Sequence, residues 1–102
     1  MNLNDYQEKA METLLPSANN INYMVYNLQA EVGEVSSLFA KYLRDGFYSR
    51  EAVAKEMGDV LWQLAGLCHV MEFKLEDIAQ KNLDKLAARK LNGTLGGNGD
   101  DR

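Results

Sequence analysis

Two acidic pairs at helical neighbour spacing decide what this chain can fold into. Glu31 and Glu34 stand in Asn27-Leu-Gln-Ala-Glu-Val-Gly-Glu34, and Glu56 and Asp59 in Lys55-Glu-Met-Gly-Asp-Val-Leu-Trp62, each pair spaced i,i+3 inside an apolar helical pattern. Residues three apart are neighbours on one helix face, so each pair aims two carboxylates at one spot. An apolar seam of Ile21, Val25, Leu28, Val32, Val35, Phe39 and Tyr42 runs along the first helix, and one of Val53, Met57, Val60, Leu64 and Met71 along the second. Glu31 and Glu34 follow Leu28 by three and six positions; Glu56 and Asp59 follow Val53 by the same steps. If the two helices pack antiparallel, as a short connection favours, seam against seam, both pairs flank the shared groove and converge. Like charges that close destabilise a helix pair. A hard divalent cation with oxygen ligands, Mg²⁺ or Mn²⁺, is the usual remedy. The competing reading makes these acids solvated face residues, the common fate of Glu and Asp.

The 102 residues suffice for one domain with a modest core. Hydrophobic residues make up 46% and charged ones 25%, with a single proline and few β-branched runs, so the expected fold is an all-α bundle of about four helices. The net charge of −4 argues against a nucleic-acid backbone as the main partner, because no basic patch of the needed size exists. Cys68, the single cysteine, cannot form an internal disulfide and fits a reducing cytoplasm. The first residues lack the basic and apolar regions of a signal peptide, and no apolar run approaches the ~20 residues of a membrane span. The reading is therefore of a cytoplasmic protein with no membrane and no nucleic-acid partner.

In chain order, helices are expected over 4–15, ended by Pro16; over 20–44, capped by Asn19 or Asn20 and closed by Gly46; from Ser49 to 72; and over 75–91. The domain is thus 1–91, followed by a glycine-rich tail over 92–102. Tyr23, Asn27, Glu31, Glu34, Leu38 and Lys41 share one long stripe of the second helix. Gly33 and Gly58 lie between the acids of each pair; a glycine inside a helix costs about 1 kcal/mol against alanine, so both imply a close approach by backbone or ligand. Trp62, a turn beyond Asp59, reads either as core or interface or as a stacking wall for a base. His69 has no glutamate three residues before it, which argues against a di-iron site. Lys81, Lys85 and Arg89 recur at four-residue steps and form a basic ridge with Asn82 beside it. The ridge is either solvated or the cationic partner of a polyphosphate. The tail holds four of the eight glycines and reads either as a disordered end or as a backbone-donor loop with Arg102 as a final cation.

Glu31-x-x-Glu34, then 21 residues, Glu56-x-x-Asp59-Val-Leu-Trp62, and Asn82-Leu-Asp-Lys85-Leu-x-x-Arg89 together resemble the MazG family of all-α nucleoside triphosphate pyrophosphohydrolases. The opening Asp5-Tyr6-Gln7 helix and the closing Gly96-Gly-Asn-Gly-Asp-Asp-Arg102 extend the resemblance over nearly the whole chain. It implies hydrolysis of NTPs or dNTPs to monophosphate and pyrophosphate, with Mg²⁺ held by Glu31, Glu34, Glu56 and Asp59. It also implies phosphate contacts from Lys85 and Arg89, with Lys81 and Arg102 as further cations, and a homodimer or homotetramer that completes the bundle. Tyr23, Asn27, Trp62 and Asn82 are candidates for the base and sugar pocket. Ala30 departs from the pattern, because many members carry a further glutamate there, so Glu34 or Glu31 must combine metal binding with orienting the water. Two alternatives share the fold: a non-catalytic nucleotide- or partner-binding module, and a pyrophosphohydrolase for dUTP or a phosphoribosyl nucleotide.

Overall fold

Each helix starts and stops where local chemistry dictates. The computed structural model describes residues 1–102 and is all-helical: α1 Leu3–Met11, a 3-10 turn Pro16–Ala18, α2 Ile21–Asp45, α3 Arg50–Val70 and α4 Leu75–Asn92. Asn2, Asn20 and Ser49 cap the first three helices, their side chains accepting from the N–H of Asp5, Tyr23 and Ala52 at 2.8, 2.8 and 3.2 Å. Gly46 and Gly93 end α2 and α4 in the left-handed conformation, at φ +87° and +71°. α4 has no cap of its own. The Gln7 side chain supplies one, its Oε1 accepting from Leu75 N–H at 2.8 Å while its Nε2 donates to the Phe73 carbonyl at 3.1 Å.

α1 is shorter than the expected 4–15. The Thr13 hydroxyl donates to the Ala10 carbonyl at 2.6 Å, and Leu15 adopts the extended backbone that a following proline enforces, so the last turn does not form. No helix is long and apolar enough to cross a membrane.

α2 and α3 form an antiparallel hairpin. Asn27 bonds Gln63, and Met24 packs on Gly66, while Phe39 and Tyr42 meet Tyr48 near the turn with ring centroids 5.8 and 5.1 Å apart. The close crossing is at Gly66, where an added Cβ would lie 2.6 Å from the Met24 sulfur. Within one chain Gly33 and Gly58 have nothing within 4 Å, so α2 and α3 do not make their close crossing there.

The expected seam also needs correction. Ile21, Val25, Val32, Phe39, Tyr42, Met57, Leu64 and Met71 remain between 39% and 58% exposed. The face of α2 turned towards α3 keeps Leu28 and Val35 of that seam and otherwise carries Met24, Asn27, Glu31 and Leu38, all buried or half-buried. One helix can offer only one stripe to one neighbour, and the Met24–Gly66 fit and the Asn27–Gln63 bond select the stripe that bears the acid. On the other side of α3, α1 is held by the Trp62 indole, whose N–H donates to Thr13 Oγ1 at 2.9 Å and the Ala10 carbonyl at 3.2 Å. Ala65, Cys68 and Leu75 make the small core there, with Leu3, Tyr6 and Met11 packed on it. Only 8 of the 102 residues are buried, so the chain by itself is an open bundle with a long apolar face bare.

The tail is folded. The Arg102 guanidinium donates to the carbonyls of Thr94, Leu95 and Gly96 at 3.1, 3.0 and 3.0 Å and also to that of Gly99, closing 94–102 into a loop against α4. Gly97 and Gly99 take φ +102° and +89° to allow it.

Candidate active site

The hairpin brings the two acidic pairs together unequally. Glu31, Glu56 and Asp59 each place a carboxylate oxygen within 4.8 Å of the others, Glu31 and Glu56 half-buried and Asp59 exposed. Glu34, one turn beyond Glu31, lies exposed at the rim and outside this trio. No cation pairs with any of the four; the ion pairs of the chain are Arg44–Asp45, Lys85–Asp100 and Arg89–Asp100. Burial, followed by the charges of Asp59, Glu34 and Glu31, raises the Glu56 carboxyl above the ordinary carboxylate range. A donor set made only of carboxylate oxygens, unneutralised and converging, fits a hard divalent cation.

A polar thread leads from the trio into the hairpin. Asn27 Nδ2 donates to Gln63 Oε1 at 2.7 Å and lies 3.5 Å from Glu31 Oε1. Gln63 is 2% exposed, and its amide faces the Met24 carbonyl and sulfur, each at 3.5 Å. Gln63 escaped the sequence reading. The signal was present, since it follows Asp59 by four positions and so shares its stripe. An apolar groove of about 300 Å³ lined by Val32, Val35, Ser36, Met57 and Val60 runs beside the acids. A larger cleft, about 770 Å³ between α1 and the end of α3, contains none of them.

The remaining candidates are spread out. Tyr23, 40% exposed, lies in the first turn of α2. Trp62 spends its N–H on α1, which leaves only its ring face for a base. Lys81 and Asn82 are exposed on α4, a helix that packs on α1 and α3. Lys85 and Arg89 meet the tail and not the acids, and Arg102 is enclosed by tail carbonyls.

Fold and site define an all-helical protein with an oxygen-donor acidic centre built on a two-helix hairpin. Residues 19–93 match the MazG nucleotide pyrophosphohydrolase domain, and the chain belongs to that family. The match takes in both acidic pairs and α4 and leaves out α1 and most of the tail. Among curated proteins, the chain is similar to the Gene 37 protein of Mycobacterium phage L5, at 32% identity with both chains covered in full. No solved structure matches it.

Proposed function

We propose that this chain hydrolyses nucleoside or deoxynucleoside triphosphates to the monophosphate and pyrophosphate, in the cytoplasm, for house-cleaning or adjustment of the nucleotide pool. The observation that carries the reading is the trio Glu31, Glu56 and Asp59, three converging carboxylates with no lysine or arginine paired to them inside a MazG domain. Mg²⁺, or Mn²⁺ in its place, would be held by these three with Glu34 at the rim. When bound it supplies neutralisation of the triphosphate and Lewis-acid activation of the attacking water.

The side chains divide the remaining work. Asn27, fixed by Gln63, steadies Glu31. Glu34 is exposed and outside the trio, so with Ala30 in place of a further glutamate it is the group positioned to orient the water and take its proton. The water attacks the α-phosphorus, the α–β anhydride bond breaks, and the pyrophosphate leaves with the bonding pair. Lys85 and Arg89, with Lys81, stabilise the charge that builds on it, while Arg102, the further cation expected from the sequence, is held by tail carbonyls and fixes the tail. Tyr23, Asn27, Trp62 and Asn82 contact base and sugar.

Because α4 does not bring its cations to the acids of its own hairpin, they reach the triphosphate from a second copy. The bare apolar face of α2 and α3 is the surface on which a homodimer or homotetramer forms. The test is the identity of the products by ³¹P NMR with a panel of NTPs and dNTPs. The proposal requires monophosphate and pyrophosphate; diphosphate and inorganic phosphate as the products would refute it.

A further inference from the structure

We infer that Asp100 of the tail is a positioning residue that holds Lys85 and Arg89 together as one binding pair for a phosphate oxygen of the nucleotide. The inference rests on the pyrophosphohydrolase reading and adds to it a part for the tail, whose Asp100 lies beyond the matched residues 19–93.

Lys85 and Arg89 stand i,i+4 on α4, where two like charges repel. Two long, unpaired side chains would also spread over many rotamers. Asp100 removes both difficulties. Its Oδ1 accepts from Lys85 Nζ at 2.7 Å and from Arg89 Nη2 at 3.1 Å, and its main-chain carbonyl accepts from the same Nη2 at 2.6 Å. One carboxylate between two cations offsets their repulsion and leaves one positive charge over. Lys85 and Arg89 in turn hold the Asp100 carboxyl below the ordinary carboxylate range, so it stays charged.

Lys85, with its side chain 36% exposed, is the member of the pair that a ligand reaches directly, and the buried Arg89 lacks one acceptor. The Arg89 side chain is only 8% exposed, yet its Nε–H is buried with no hydrogen-bond partner. A buried guanidinium N–H is costly to leave unmet. The Thr94 hydroxyl, on the residue whose N–H bonds the Arg89 carbonyl at 2.8 Å, is buried and unpartnered as well. A phosphate oxygen is an acceptor of the charge and geometry that Arg and Lys take best.

The opposite role for the same contact is a tethered competitor, in which the Asp100 carboxylate occupies the cations and keeps phosphate out. The structure favours positioning. The tail grips Arg89 through its backbone as well as its carboxylate, and Arg102 locks that backbone through four carbonyls. A phosphate therefore adds to the pair and does not displace a loose arm.

The test uses the full chain with Asp100→Asn, Asp100→Glu, Lys85→Met and the Lys85→Met/Asp100→Asn double variant. KM and kcat are measured on the triphosphate turned over best, and inorganic pyrophosphate is titrated calorimetrically in EDTA. Because the pair also stabilises the leaving pyrophosphate, loss of one charge-assisted contact predicts a fall in kcat/KM of about tenfold for Asp100→Asn, with KM raised and kcat lowered. Pyrophosphate affinity falls by a similar factor, Asp100→Glu restores part of it, and Lys85→Met and Asp100→Asn do not add in the double variant. A lower KM and tighter pyrophosphate in Asp100→Asn would overturn the inference in favour of the competitor. Unchanged KM and pyrophosphate affinity with only a lower melting temperature would overturn it in favour of a purely structural tail. Should the wild type turn over no triphosphate, the hydrolase reading fails by itself, and the pyrophosphate titration still decides the role of Asp100.

Discussion

In the α2–α3 groove, three carboxylates lie within 4.8 Å of one another, with a fourth at the rim and no cation opposite; on α4, one carboxylate lies between two cations. The first region is unbalanced in the isolated chain and the second almost balanced. Unneutralised charge in a folded protein lowers its stability. In the proposed reading the groove is where the chain gives up stability to bind something of opposite sign, and the α4–tail region is where it prepares side chains in advance. An enzyme acting on a triphosphate with a metal needs both, one to receive the cation and one to receive the anion.

The largest effect expected from breaking this contrast is Glu56→Gln. Turnover should fall by about 100-fold or more, while the metal-free protein melts higher than wild type because one member of the repelling set is gone. The stabilisation of the wild type by Mg²⁺ should disappear with it. Calorimetric melts with and without Mg²⁺ check both, and a variant that melts lower without metal would contradict the charge argument.

Next is Gly66→Ala, which separates packing from charge. Its Cβ would lie 2.6 Å from the Met24 sulfur, the end of a flexible but fully buried side chain, so Met24 must repack, at about 1–3 kcal/mol in chemical denaturation. Gly33→Ala, with nothing within 4 Å, should raise the stability of a single chain by about 0.5–1 kcal/mol. A loss there instead would show that a second copy closes on Gly33.

The hairpin itself was legible in the sequence, and so was the convergence of Glu31, Glu56 and Asp59, although Glu34 was expected among them and lies outside. Caps at Asn20 and Ser49, the stop at Gly46 and the i,i+3 spacing are local, and local chemistry decides them. Which stripe of α2 faces α3 was not legible. Apolar periodicity marks a face that wants a partner without saying whether the partner is the next helix or another chain, and the stripe chosen depends on Met24 meeting Gly66. Gln63 and Gln7 were missed for the same reason: their bonds to Asn27 and to the Leu75 N–H span 36 and 68 residues of sequence. The end of α1 depended on one hydroxyl, that of Thr13. The order of the tail depended on Arg102 finding four carbonyls, which glycine content alone does not show.

A smaller effect probes the balanced region through pH. Asp100 is held below its ordinary range by Lys85 and Arg89, so its contribution to stability is present above the unfolded carboxylate pKa and is lost as pH falls through the lowered folded value. The gap in melting temperature between wild type and Asp100→Asn should be open at neutral pH and close on acidification. A gap independent of pH would mean that the charge is not what holds the tail. The smallest expected effect is a control outside both regions. Glu72 sits at φ +61°, a conformation that costs a side chain about 1–2 kcal/mol. Glu72→Gly should gain up to about 1 kcal/mol, with the same value in Mg²⁺ and in EDTA.

The deciding experiment measures pyrophosphate release from NTPs and dNTPs, with Mg²⁺ and with EDTA, for wild type and Glu56→Gln side by side. The wild type should release pyrophosphate in Mg²⁺ alone, with EDTA and Glu56→Gln each reducing release to background. Release that persists in EDTA, or that Glu56→Gln leaves intact with metal in excess, would contradict the proposed function.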